Sequence, residues 1–243
     1  MIISIGKIKI QLNLVVFVLY VVMMFILISL GKWQLSRADE KFEFLASRQR
    51  NLDAPEIKLD LQQSIDSNLL RYRKVTLAGE YDLRHQILVD NQIHEGKPGF
   101  LVMTPLKVKN SGYSVLINRG WVPWPATRSQ IPDVTIAESK VEIVGRINRF
   151  PSVALKLTGA EEPTETWPAI VQVINAEIIS SKIGYPLVDF QIELSPQAKN
   201  GYVRNWNVAA TISPEKHKAY AIQWFSLAVV MTILFIWYSC RSK

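Results

Sequence analysis

The sequence predicts a membrane protein of α+β class, in which two transmembrane helices flank one β-rich extracytoplasmic domain, an antiparallel sheet or a barrel. Three observations lead there. Uncharged runs stand near both ends, and period-two alternation recurs through the long stretch between them. Of the 243 residues, 49% are hydrophobic and 20% charged, too apolar for disorder and too charged for a multi-span transporter. The single cysteine, Cys240, excludes an intrachain disulfide, a Cys-x-x-Cys redox pair and a thiolate zinc cluster.

No charge occurs between Ile10 and Gly31, and Leu14 to Leu30 is almost continuously aliphatic. At about 1.5 Å per residue this run crosses a hydrocarbon core of roughly 30 Å. A cleaved signal peptide is the rival reading, with Lys7 and Lys9 as its basic flank and Ser29 and Gly31 as its small residues. The run outlasts a usual signal core, and Trp33, Leu35 and Arg37 follow without a break. Retention as an anchor is the reading carried forward. The second run, Ala219 to Tyr238, is interrupted only by Gln223, Ser226 and Thr232, and ends with Trp237 and Tyr238 beside Arg241 as an interfacial anchor.

The expected organisation is a tail at 1–13, a span at 14–30, a β-rich domain at 31–218, a span at 219–238 and a tail at 239–243. The tails hold Lys7, Lys9, Arg241 and Lys243 and no acid. The other 24 of 28 bases and all 21 acids lie between Gly31 and Lys218, leaving that stretch near +3. Such tails favour the cytoplasmic side by the positive-inside bias, and Lys32, Arg37 and Lys41 on the other flank carry less weight before a long domain. The domain is therefore expected outside. No basic run suits a nucleic-acid partner.

Within the domain, Val75, Leu77 and Tyr81 alternate with Lys74, Thr76 and Glu80, and Val188, Phe190, Ile192 and Leu194 alternate with Asp189, Gln191 and Glu193. Both read as half-buried strands. So do Gln86 to Asn91, Phe100 to Val108, Tyr113 to Arg119, Lys140 to Ile147 and Ala169 to Ile174, with Asn110-Ser111-Gly112 as a tight hairpin and Asn200-Gly201 as a second turn. Helical patterns fall at Arg37 to about Arg50, extending the first span, and at Asn175 to Lys182, capped by Asn175.

The chain has no phosphate loop, since Gly96-Lys97 runs into Pro98, no nucleophile elbow and no His-Glu-x-x-His. His85 and His94 read as surface residues, with a metal site between them as the alternative. His217 stands out by position. Ser213-Pro214-Glu215 starts a helix, and His217 in its second turn shares a face with Tyr220, Ala221, Trp224 and Ala228. That face suits a macrocycle lying along a helix, although Tyr, Trp and His also decorate membrane interfaces. Trp33, Arg37 and Lys41 recur four residues apart, so Arg37 is a candidate partner for an anionic ligand. Asn118-Arg119-Gly120-Trp121-Val122-Pro123-Trp124-Pro125 reads as a strand ending in a rigid turn. Arg119, Trp121 and Trp124 there are a candidate partner interface, with a packed corner as the alternative.

These segments resemble the surfeit-locus-one family of cytochrome c oxidase assembly factors across nearly the whole chain. The resemblance rests on Gly31-Lys32-Trp33-Gln34-Leu35-Ser36-Arg37 with Lys41, Pro98-Gly99-Phe100, Thr104-Pro105-Leu106 and Asn118-Arg119-Gly120-Trp121-Val122-Pro123. It continues in Gly201-Tyr202-Val203-Arg204-Asn205-Trp206 and His217-Lys218-Ala219-Tyr220-Ala221-Ile222-Gln223-Trp224-Phe225. It implies a non-enzymatic assembly chaperone that binds haem a through His217 and promotes its insertion into oxidase subunit I. Tyr220, Ala221, Trp224 and Arg37 would complete that cofactor site. The implied partners are subunit I and its assembly intermediates, with the haem a synthesis machinery as a further one. Only nine residues precede the uncharged run, so a bacterial inner membrane with both termini cytoplasmic and the domain periplasmic is expected. A scaffold that holds an oxidase intermediate without contacting haem is the alternative function. A membrane-tethered hydrolase lacks a recognisable base and nucleophile.

Overall fold

Isoleucine-rich segments at the N-terminus form the first hairpin, β1 (Ile2–Ile5) antiparallel to β2 (Ile8–Gln11), where the sequence suggests only a basic tail. The computed structural model describes residues 2–5, 8–11, 13–62, 65–127, 130–153, 156–206 and 213–241. Lys7 and Lys243 lie outside them. The chain divides into two compact units, Met1–Ser47 with Val208–Lys243, and Arg48–Asn207. The stretches 31–47 and 213–218 therefore group with the terminal helices rather than with the β domain to which the sequence assigns them.

In the first unit, α1 (Leu14–Asp53) starts at Asn13, whose side chain accepts from the Val15 amide at 3.0 Å. It runs on well past the apolar segment, as the pattern through Arg50 predicts. The last helix, α3 (Pro214–Arg241), begins as expected with Ser213 as cap and Pro214 in the first turn. Both helices are long and apolar enough to cross a bilayer, and most of their apolar surface is uncovered by protein. The residues they bury, Leu27, Gly31 and Ala38 on α1 and Pro214, His217, Ala221 and Ala228 on α3, fall with the half-buried Met24, Gln34 and Phe225 into steps of three and four. That spacing is the seam of two helices packed side by side. Gly31 is required there, because a Cβ would lie 2.6 Å from the Phe225 ring. Toward the other end Tyr20 stacks on Phe235 at 4.3 Å and shares a hydrogen bond with Thr232.

The second unit is built on β3 (Ile57–Lys58), β4 (Lys74–Tyr81), β5 (Ile87–His94), β6 (Lys97–Val108), β7 (Ser114–Pro123), β8 (Lys140–Asn148), β9 (Ala169–Val171), α2 (Ala176–Ile183) and β10 (Leu187–Leu194). The strands pair in the order β3-β4-β8-β10-β7-β6-β5-β9, and a further pairing of β6 with β4 closes β4, β8, β10, β7 and β6 into a ring. Every expected strand is present. The sheet is nevertheless mixed rather than antiparallel, because β10 runs parallel to β7, β3 to β4 and β9 to β5. Parallel neighbours need long crossovers, and the chain between β7 and β10 supplies one through β8, β9 and α2. Alternation along a strand cannot report this, since it encodes faces and not directions.

Two further expectations change. The hairpin at Asn110-Ser111-Gly112 is not tight: five residues separate β6 from β7, with Asn110 left-handed at φ 61. β10 is not half-buried either, because Gln191 and Glu193 are as buried as Phe190, Ile192 and Leu194. Their polar groups are satisfied inside: Gln191 accepts from Asn118 and donates to the Arg149 carbonyl, and Glu193 takes Arg146 and Asn148. The ring wraps a core that includes Val75, Leu77, Ile117, Ile147, Phe190 and Ile192. A second cluster forms where α2 lays Ile179 and Ile183 against Ile87, Met103 and Leu116. Asn175 caps α2 as expected, accepting from the amides of Glu177 and Ile178.

Candidate functional site

In the helical unit the site is organised around His217. The residue is 9% exposed, and Nδ1 lies 2.8 Å from Gln34 Oε1 of α1. A carboxamide oxygen only accepts, so a neutral ring in this contact donates through Nδ1 and keeps its lone pair on Nε2. A histidine with one nitrogen hydrogen-bonded in this way and the other free is arranged as a metal ligand. Gln34 belongs to the first span's exit motif, but nothing in the sequence joins it to a residue 183 positions away.

The remainder of the expected face is divided. Ala221 is 1% exposed and Ala228 is buried, both along the seam with α1. A macrocycle cannot lie over them while α1 is packed there, which corrects the expectation of an open His217-Ala221-Ala228 surface. Helical phase alone placed these residues together and could not say what covers them. Tyr220 is 47% exposed and Trp224 half-buried, so the accessible flank of His217 is the Tyr220 and Trp224 side. A leucine at Ala221 would force α1 and α3 apart, so that variant reports packing rather than ligand contact. Arg37 is exposed and pairs with Glu40 at 2.7 Å, with its guanidinium 5.8 Å from the Trp33 ring centroid. An exposed pair of this kind exchanges partners at little cost.

In the β unit, Asn118-Arg119-Gly120-Trp121 and the segment from Asn200 to Trp206 form one structure. Along β7, Arg119 and Gly120 together oppose a single residue of β6, because Leu101 pairs with Trp121 and Met103 with Asn118. This bulge turns Arg119 inward. Gly120 adopts φ 112, and a Cβ there would meet the Val203 carbonyl at 2.6 Å. The amides and carbonyls freed by the bulge pair with the second segment: Trp121 N to Val203 O at 2.8 Å, and Tyr202 N to Arg119 O at 2.7 Å.

Arg119 is 2% exposed. It donates to the carbonyls of Asn200 at 2.8 Å and Val134 at 2.9 Å and to Gln86 Oε1 at 2.9 Å, and stacks 5.0 Å from the Tyr202 centroid. Burial lowers its pKa, and the neighbouring tyrosines act against that shift. Burial likewise pushes the Tyr81 hydroxyl up to about 12, despite the nearby charges of Arg119 and Arg204. The indole N–H of Trp121 donates to the Gln92 carbonyl and that of Trp124 to Asp90, bracing the bulge of β5. Of the proposed interface, Arg119 therefore offers no surface to a partner. Trp121 is nearly covered, and Trp124 is half-exposed. The packed-corner alternative describes this geometry.

His85 and His94 do not form a pair. His85 precedes β5 and His94 ends it nine positions later, roughly 30 Å in an extended chain. Among the described residues no group of three His, Cys, Asp or Glu gathers to hold a metal. His85 instead joins Asp82, which is 2.7 Å away and also accepts from Tyr185 at 2.8 Å. Burial works to raise the Asp82 carboxyl, but the bonds from His85 and Tyr185 outweigh it and hold the pKa below the usual range. Stability from a carboxylate held low is present above its unfolded pKa of about 4 and fades as pH falls through the folded value. Asp82→Asn is therefore expected to cost about 1–2 kcal/mol at pH 7. The difference should shrink steadily below about pH 4 in unfolding curves followed across pH.

The comparisons with known proteins agree over the length of the chain. The model of the SURF1 family matches residues 21–229, which include the Gln34 and His217 pair, the bulge and the Asn200 to Trp206 segment. A SURF1-like protein of Rickettsia felis is 29% identical over 237 residues, covering 93% of this chain and 96% of its own. Surfeit locus protein 1 of Arabidopsis thaliana is 24% identical over 257 residues, covering 84% of this chain and 72% of its own. Surfeit locus protein 1 of Takifugu rubripes is 24% identical over 230 residues, covering 86% and 90%. With the family model spanning the apolar helices and the β unit alike, the chain belongs to the SURF1 family.

Proposed function

We propose that this protein is a membrane-anchored, non-enzymatic assembly factor for cytochrome c oxidase that binds haem a and promotes its insertion into subunit I. The observation that supports this reading best is the hydrogen bond from His217 Nδ1 to Gln34, which leaves Nε2 free to ligate iron. Haem a supplies the redox-active iron centre that the oxidase requires. The chain's own residues bind and orient it. His217 would provide a nitrogen ligand to the iron, with Gln34 orienting its ring and Tyr220 and Trp224 flanking the accessible side. Arg37, by exchanging Glu40 for a propionate, would neutralise the anionic edge. The haem a synthesis machinery would load this site and an assembly intermediate of subunit I would empty it.

The deciding experiment is the visible spectrum of the full chain purified from cells that make haem a. A Soret band with an α band characteristic of haem a is expected. A protein without either would overturn the carrier reading in favour of the scaffold that never contacts haem. The burial of Ala221 and Ala228 is the feature on which that scaffold reading draws.

Both apolar helices are proposed to span a bacterial inner membrane, with the termini cytoplasmic and the β unit periplasmic. A reporter that works only outside the cytoplasm should be active when inserted between Asn110 and Gly112, in the loop between β6 and β7, and silent after Lys243. The reverse pattern would invert the assignment.

A further inference from the structure

A basic cavity in the β unit, separate from His217, has donors that the fold leaves unused. It measures about 450 Å³ and is walled by Arg48 at the end of α1, Lys74 and Arg146 from β4 and β8, Glu193 from β10, Arg204 and Trp206. Four cations thus face one carboxylate, and that carboxylate is spent. Glu193 accepts from Arg146 through one oxygen and from Asn148 through the other. Arg204 is spent as well, donating to the carbonyls of Ser195, Pro196, Ala198 and Tyr202 to fasten its own turn.

The other three cations are not. The Nε of Arg48 is buried with no hydrogen-bond acceptor among the described residues, an arrangement that costs free energy wherever it persists. Lys74 has no ion-pair partner among the described residues. Arg146 uses Nε on Glu193 and one terminal nitrogen on the Trp206 carbonyl, leaving the second terminal nitrogen for another acceptor. Arg48 and Arg146 also approach the same Tyr72 ring, at 5.4 and 5.6 Å from its centroid, so their guanidinium carbons lie at most about 11 Å apart. Both charges share the cavity wall with a single carboxylate.

We infer that this cavity binds a phosphate group, either on the headgroup of an anionic lipid or as free phosphate. Phosphate fits better than carboxylate because three cations converge from three elements, and only a tetrahedral group offers oxygens in three directions while also accepting a bidentate guanidinium. The same cavity is walled by Leu52, Val144 and Pro196, apolar surface that a glycerol backbone would cover and that free phosphate would not. The site does not depend on haem binding, and its failure would leave the His217 reading untouched.

The test uses the full chain, delipidated in detergent, with Arg48→Gln and Lys74→Glu beside the parent. Native mass spectrometry after titration with dioleoyl phosphatidylglycerol, with phosphatidylcholine as control, should show one phosphatidylglycerol retained by the parent in preference to phosphatidylcholine. Each variant should weaken that binding by about tenfold or more, as expected for the loss of a charge-assisted contact. If inorganic phosphate alone raises the parent's melting temperature and displaces the lipid, the ligand is free phosphate and the site stands. Retention of phosphatidylglycerol by Lys74→Glu equal to the parent's, with no response of either to phosphate, would overturn the proposal. Lys74 is exposed at the start of β4, so this variant decides the matter even if Arg48→Gln fails to fold.

Discussion

Arg119→Leu is expected to destabilise the β unit by about 3–5 kcal/mol, because several acceptors around one buried guanidinium lose a donor at once. The leucine fills most of the space but cannot donate. It would strand the carbonyls of Asn200 and Val134 and take one of two donors from the side-chain oxygen of Gln86, which the Thr104 hydroxyl would still hold. Each buried acceptor left unpaired costs about 1–3 kcal/mol. Asn200 also begins the segment that pairs with the bulge, so loosening it weakens the backbone bonds of Tyr202 and Val203. For a unit of this size the loss corresponds to a fall of roughly 10 °C in melting temperature. Arg119→Lys should recover part of the stability, since it keeps the charge without the fork. Thermal unfolding of the full chain followed by near-ultraviolet circular dichroism is the measurement. A melting temperature equal to the parent's in Arg119→Leu would remove the guanidinium from any structural role.

The second large effect is expected at His217 and Gln34. His217→Ala should leave the protein inserted and the β unit folded while abolishing the haem a spectrum, because the ring belongs to the helical unit and takes no part in the clusters that form the core of the β unit. Gln34→Leu should weaken haem retention by roughly 10–100-fold, the usual cost of losing the group that orients a metal-bound histidine. Gln34→Glu should restore retention and lower the midpoint potential of the bound haem, since a carboxylate acceptor makes the imidazole a stronger donor to iron. The potential separates the two roles open to Gln34. A mere clasp between helices would alter stability on substitution and leave the potential of any retained haem unchanged.

The sequence made some of this architecture readable and hid other parts for definable reasons. Helices α1 and α3, the cap at Asn175 and every strand of the ring follow from local signals: uncharged length, a side chain bonding to amides two and three residues on, and alternation. Sheet direction does not follow, because Leu187 to Leu194 alternates in the same way whether it runs parallel or antiparallel to Ser114 to Pro123. The buried Gln191 and Glu193 read as solvent-facing for a related reason. Their partners Asn118, Arg146 and Asn148 come from other strands, and polarity alone does not distinguish water from an internal acceptor. At the candidate site, phase around a helix grouped His217 with Ala221 and Ala228, and the residue that completes the arrangement, Gln34, lies on a different helix. The quoted motifs Asn118 to Pro123 and Gly201 to Trp206 each look self-contained, and their meaning emerges only when the bulge of one is seen to be filled by the backbone of the other.

Closure of the five-strand ring also dictates when the β unit can come into being. Its members are drawn from Lys74 through Leu194, and the parallel pairing of β10 with β7 joins residues about 73 positions apart. Until Leu194 has left the ribosome, β7 and β8 each lack the neighbour that lies between them, and the bulge at Arg119 waits longer still, for Tyr202 and Val203. No early fragment of the chain holds a complete core. Folding is thereby postponed to the end of synthesis of this unit, with non-local pairing as its slow step, and a nascent chain stalled before Val203 exposes open strand edges to proteases and to holding chaperones.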